Sequence, residues 1–146
     1  MTHMRWMLTL TMAVGIALGL IGSQILNAQQ EPVKAAILLQ TDVVGLPGKE
    51  VVVQTADFAP GATSGKHTHP GHEVAYVLAG STTRYVEGKG WVPAKPGDVF
   101  YIPDNVVHET KNMSTTEGLK LLVFRIHEKG KPIVNFRMEE AYFWKK

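Results

Sequence analysis

From Glu31 onward the apolar residues come in short runs separated by turn formers, and no stretch of ten residues keeps the spacing of an amphipathic helix. The runs predict strands at 35–39, 50–58, 66–69, 73–78, 82–86, 99–102, 107–112 and 119–127. Between them lie Leu46-Pro47-Gly48, Ala59-Pro60-Gly61, Pro70-Gly71, Glu87-Gly88-Lys89-Gly90 and Lys95-Pro96-Gly97-Asp98, all with turn chemistry. Eight short strands at close spacing imply an all-β sandwich or small barrel, whose interior can be filled or used. Val134, Phe136 and Met138 then alternate with Asn135, Arg137 and Glu139, which predicts one further strand before the aromatic end Tyr142-Phe143-Trp144. Three adjacent aromatics need cover. Their own barrel or a second subunit would supply it equally well, and contact with a membrane surface is a weaker third reading.

Residues 1–30 break this pattern, with no acid and a single base, Arg5. An uncharged apolar stretch over 6–26 follows, then Asn27-Ala28-Gln29-Gln30, the layout of an export signal with a processing site. Leu26 stands where a small residue is usual. The first expectation is therefore a cleaved signal with 31–146 released as a periplasmic or extracellular domain. The second is an uncleaved anchor over 6–26, since that stretch just reaches the roughly 20 residues needed to span a bilayer. A membrane is a partner only in the second case, and the domain faces outward in both. The remaining 116 residues carry 14 basic and 13 acidic side chains. That balance argues against nucleic acid as a partner. The absence of Cys excludes disulfides, thiol nucleophiles and Fe–S clusters.

Candidate chemistry gathers in the histidines, four of which are His67, His69, His72 and His108. Strand residues two apart share a face, so His67 and His69 present their imidazoles side by side. Pro70-Gly71 turns the chain, and Glu73 opens the next strand beside them. His108 arrives after a turn of its own, Pro103-Asp104-Asn105. Three neutral imidazoles and a carboxylate suit a divalent first-row transition metal with positions left open. The plainer alternative is a pair of surface histidines in a polar loop.

The wider spacing resembles the cupin family. Gly61, His67, His69, Glu73 and Gly80 meet its first pattern, G-x5-H-x-H-x3-E-x6-G, without insertion. Gly97, Pro103, His108 and Asn112 meet its second, G-x5-P-x-G-x2-H-x3-N, with Asn105 in place of the inner glycine. Asn is the residue that best follows Gly into left-handed backbone. The resemblance covers roughly residues 50–128 and implies a double-stranded β-helix, a jelly-roll barrel with the metal near one mouth. It also implies the ligand set His67, His69, Glu73 and His108 for one metal among Mn, Fe, Ni, Cu and Zn. It does not supply a reaction, because the fold hosts many.

Three neighbouring residues carry further expectations. Strand parity sends His72 to a solvent-facing rim. His127 opposes Leu122, Phe124 and Ile126 in the alternation, which places it at the surface. Inward parity from Glu73 runs through Ala75 and Val77. After Gly80 the favoured register slips by one, with Tyr85 inside and Arg84 in water. The alternative keeps Thr82, Arg84 and Val86 inside and makes Arg84 a clamp for an anionic ligand, because Glu73 would be spent on the metal. The functional expectation is metal-dependent binding or turnover of a small oxygen-bearing organic molecule, as an oxygenase or isomerase if catalytic. The competing class is a non-catalytic binding or metal-carrying protein.

Overall fold

The computed structural model describes residues 32–136; the leader and the aromatic end at Tyr142, Phe143 and Trp144 lie outside them. The described residues form ten strands and no helix: β1 (Val33–Asp42), β2 (Lys49–Phe58), β3 (His67–Thr68), β4 (Gly71–Ala79), β5 (Thr82–Val86), β6 (Gly90–Ala94), β7 (Val99–Ile102), β8 (His108–Asn112), β9 (Leu119–Glu128) and β10 (Asn135–Phe136). They pair antiparallel in two five-stranded sheets, β1-β2-β9-β4-β7 and β10-β3-β8-β5-β6. The expected strands are all present, most with ends moved by a residue or a few. The unexpected one is β6, where Pro93 argues against a strand. It lies at a sheet edge, paired on one side only through Thr83, where a missing N–H costs least.

The inward-facing residues change character along each strand, and this gradient positions the site. Along β9 they read Leu119, Leu121, Val123, Arg125, His127; along β4 in the opposite direction, Val77, Ala75, Glu73, Gly71. On β2 the row is Phe58, Ala56, Gln54, Val52, Glu50. Cross-strand register aligns these rows, with Glu73 opposite Arg125 and Val77 opposite Leu121. One end of the interior is therefore an apolar core of Ala56, Phe58, Ala62, Ala75, Val77, Ala94, Leu119, Leu121 and Val123, and the other end is polar.

Parity on β9 runs opposite to expectation. His127 is fully buried, with Nε2–H donating to the Lys131 carbonyl at 3.1 Å, while Phe124 faces outward. The reason is that both faces of β9 are apolar. The outer one continues across the sheet through Val74, Tyr76 and Tyr101, so bulk alone did not decide which side turned in. Gly71, opposite His127, has no room for a side chain: a Cβ there would strike the Ile126 carbonyl and lie 2.8 Å from His127 Cα.

The register after Gly80 also departs from the favoured expectation. Gly80, at φ +84°, passes the chain from one sheet to the other without losing inward parity, so Thr82, Arg84 and Val86 are buried and Tyr85 is half-buried on the outer side beside Trp91.

Candidate metal centre

Two strand segments deliver the imidazoles. His67 and His69 bracket Thr68 on and just after β3, and His108 opens β8 directly opposite His67. The turn before His108 is fixed by Asn105, the one non-glycine residue with positive φ (+57°) among those described, whose N–H donates to the His69 carbonyl at 3.0 Å. Asparagine thus occupies the left-handed position that a glycine would otherwise take. The ring centroids lie 4.7 Å (His67 to His69), 4.3 Å (His67 to His108) and 4.9 Å (His69 to His108) apart. One ring nitrogen from each falls within 4.8 Å of the others. His72 faces solvent, with Nδ1 2.8 Å from the Tyr101 hydroxyl, and is not part of the group.

Each Nδ1 is placed against a backbone carbonyl: His67 against Gly65 (2.8 Å), His108 against Val106 (3.0 Å) and His69 against Ile133. A carbonyl only accepts, so each Nδ1 must carry a proton, and the neutral His67 and His108 rings keep an Nε2 lone pair free for a ligand. Burial, followed by the neighbouring His108, lowers the His67 pKa to about 3. Burial likewise lowers that of His108 to about 4, against the attraction of Glu73. Both are therefore neutral ligands over the ordinary pH range.

Glu73 completes the cluster, with Oε2 3.0 Å from His69 Nε2 and Oε1 3.9 Å from His108 Nε2. It is 2 % exposed, and two arginines grip it. Arg84 Nη2 donates to Oε1 at 3.1 Å; Arg125 donates to Oε2 from Nε at 3.1 Å and from Nη2 at 2.7 Å. Burial pushes the Glu73 carboxyl up, but the His69 hydrogen bond and the two guanidinium charges outweigh it and hold the carboxyl well below the usual range. Arg84 also donates from Nε to Thr110 Oγ1 at 3.2 Å and stacks on Phe100. Glu73 is thus a counter-ion to Arg84.

The donor set fits a metal. His69 Nε2 and Glu73 Oε2 lie 3.0 Å apart, and Arg125 Nη2 sits beside both, 3.3 Å from the nitrogen and 2.7 Å from the oxygen. Three imidazole nitrogens within 4.8 Å of one another beside a buried carboxylate are a usual donor set for a divalent transition metal, which His67, His69, His108 and Glu73 would hold here.

The site opens on a cavity of about 230 Å³ lined by the three histidines, Glu73, Arg84, Arg125, Ser64, Thr110 and Gln54, and by an apolar set that includes Val33, Phe58, Leu121, Val123 and Phe136. The chemically important residue not singled out from the sequence is Arg125. Its signal was available: it shares strand parity with Leu121 and Val123, which must bury, and it stands across the ladder from Glu73.

Comparison with known proteins agrees with this geometry. Residues 54–125 match the family model described as Cupin domain. Germin-like protein 1 of Brassica napus is 32% identical over 98 residues, covering 64% of this chain and 47% of its own. Germin-like protein 3-3 of Oryza sativa subsp. japonica is 31% identical over 102 residues, covering 62% and 45%. The matched region thus spans just under half the length of these curated relatives. Among solved structures, a cupin-like protein from Thermotoga maritima superposes with TM-score 0.58 at 29% identity, over 76% of this chain and 83% of its own. The DMSP lyase DddQ from Ruegeria pomeroyi gives TM-score 0.61 at 19% identity, over 75% and 53%, a likeness of fold alone. With the jelly-roll sheets, both signature segments and this match, the chain belongs to the cupin family.

Proposed function

We propose that this protein is an exported cupin that holds one divalent transition metal through His67, His69, His108 and Glu73 and uses it to bind, and as an enzyme to turn over, a small oxygen-bearing organic ligand. The observation that carries the reading is the tethering of all three Nδ1 atoms to backbone carbonyls, which leaves Nε2 as the ring nitrogen each histidine can offer a metal, with those of His69 and His108 beside Glu73. When bound, the metal would supply Lewis acidity to a chelating oxygen. The chain's own part is to fix the ligand tautomers, to hold Glu73 ionised between two arginines and to enclose the ligand in a largely apolar pocket. An oxygenase or isomerase fits such a site. A non-catalytic binding or metal-carrying role is favoured by a different observation: among the described residues the one carboxylate lining the cavity is gripped by Arg84 and Arg125, which leaves no carboxylate of those residues free there as a general base. Export rests on the leader's charge and hydropathy pattern.

Elemental analysis of protein taken from its native compartment tests the site, because affinity order alone favours copper in a recombinant preparation. His67→Ala and His108→Ala are each expected to lose most bound metal while remaining folded, and His72→Ala to keep it. Full occupancy in either ligand variant defeats the assignment.

A further inference from the structure

We propose that the cavity is built for an organic anion, a molecule with a carboxylate beside a second oxygen at one end and a short apolar body at the other. The proposal rests on the metal-site reading for where the chelating end sits, but its charge argument holds without a metal.

Among the described residues that line the cavity, two guanidiniums face one carboxylate. Arg84 is 2 % exposed, Arg125 4 % and Glu73 2 %, so this surplus of one positive charge is screened by almost no water. A single arginine would suffice to fix and neutralise Glu73. The second makes the site cationic, and a metal held by His67, His69, His108 and Glu73 would add two further charges, the one anionic ligand being already counted against an arginine. Uncompensated buried charge is strongly unfavourable, so whatever fills the cavity is selected to bring negative charge. Both arginines also keep a donor in reserve: Nη1 of each is buried without a hydrogen-bond partner. Burial draws the Arg84 guanidinium below its ordinary value, with Glu73 opposing, yet arginine starts so high that it stays cationic.

Shape adds the second half of the specification. The polar groups sit at one end, while Val33, Ala35, Phe58, Leu121, Val123 and Phe136 line the rest. A volume of about 230 Å³ is below the roughly 300–1,000 Å³ of pockets for drug-sized ligands, which selects a small molecule.

The test measures calorimetric binding of three acids, oxalate, pyruvate and 4-methyl-2-oxopentanoate, each against its neutral amide, to wild-type protein both zinc-loaded and metal-free. The acids are expected to bind about tenfold or more tightly than the amides in both forms, with 4-methyl-2-oxopentanoate the best of the three. Arg84→Gln and Arg125→Gln should each erase about tenfold of that preference. Acid and amide binding within twofold of one another overturns the proposal, as does the absence of saturable binding by any of the acids. The wild-type comparison needs no variant, so the test stands if a variant fails to fold. Zinc bound stoichiometrically with no acid preference sinks this inference alone. Acid preference in protein that takes up no metal sinks the metal reading alone.

Discussion

Replacing Glu73 by Gln separates two roles of the carboxylate, the metal ligation proposed above and the counter-ion to two arginines. Gln keeps the shape and one acceptor oxygen but removes the charge. In the native protein that charge receives three guanidinium hydrogen bonds of 2.7 to 3.1 Å, from Arg84 Nη2, Arg125 Nε and Arg125 Nη2. Taking one partner from a buried ion pair costs about 3–5 kcal/mol, because the other charge is left desolvated. Here two arginines, both under 5 % exposed, lose their shared partner, so we expect the upper end of that range in metal-free protein. Arg125→Met should cost less, since Glu73 retains Arg84. The double variant Glu73→Gln/Arg125→Met should recover part of the Glu73→Gln loss, a non-additivity that a double-mutant cycle reads directly. The assay is urea denaturation of chelator-treated protein, which excludes any contribution from bound metal. A Glu73→Gln loss below about 1 kcal/mol, the range of an exposed pair, would refute the view that the ion triad holds this end of the barrel together. Loss of metal binding without loss of stability would leave Glu73 a ligand and nothing more.

Three other outcomes follow from the same structure. Gly80→Ala should lower stability by at least about 2 kcal/mol, because its φ is +84° and a Cβ would lie 2.5 Å from the Gly118 carbonyl oxygen; an unchanged urea midpoint would contradict it. Acid should destabilise the metal-free protein: His67 and His108 titrate near 3 and 4 when folded but near 6.5 when unfolded, so the unfolded chain gains protons first. Stability is then level above about pH 7 and falls from 6.5 toward 3, at up to about 2.7 kcal/mol per pH unit for two protons. The Glu73 carboxyl, also held low, acts in the same direction at the acid end, and stability that rises on acidification would reverse the assignment. Mature protein from the native host should begin near Gln29, and N-terminal sequencing that finds Met1 or Thr2 in a membrane fraction would establish the anchored alternative.

Most of the barrel was legible because its turns are written in Pro and Gly, and the histidine cluster because strand geometry converts a two-residue spacing into a shared face. β6 was not legible, since a proline in a strand is acceptable only at an edge and edge position belongs to the assembled sheet. The two buried arginines show a deeper limit. Weighed by its own cost of desolvation, with Glu73 treated as already spent on a metal, Arg84 belongs in water, and Arg125 is not singled out at all. Burial of a charge is a property of a pair, and the pair here is made by register: Glu73 meets Arg125 across the β4/β9 ladder and Arg84 across the interior from β5. His127 went astray on the same strand as Arg125. Both faces of β9 are apolar, so hydrophobicity cannot choose its inner side. What favours it is the carboxylate on the neighbouring strand, whose Oε2 gains two guanidinium hydrogen bonds when Arg125 turns inward; His127, two residues on, must then follow it.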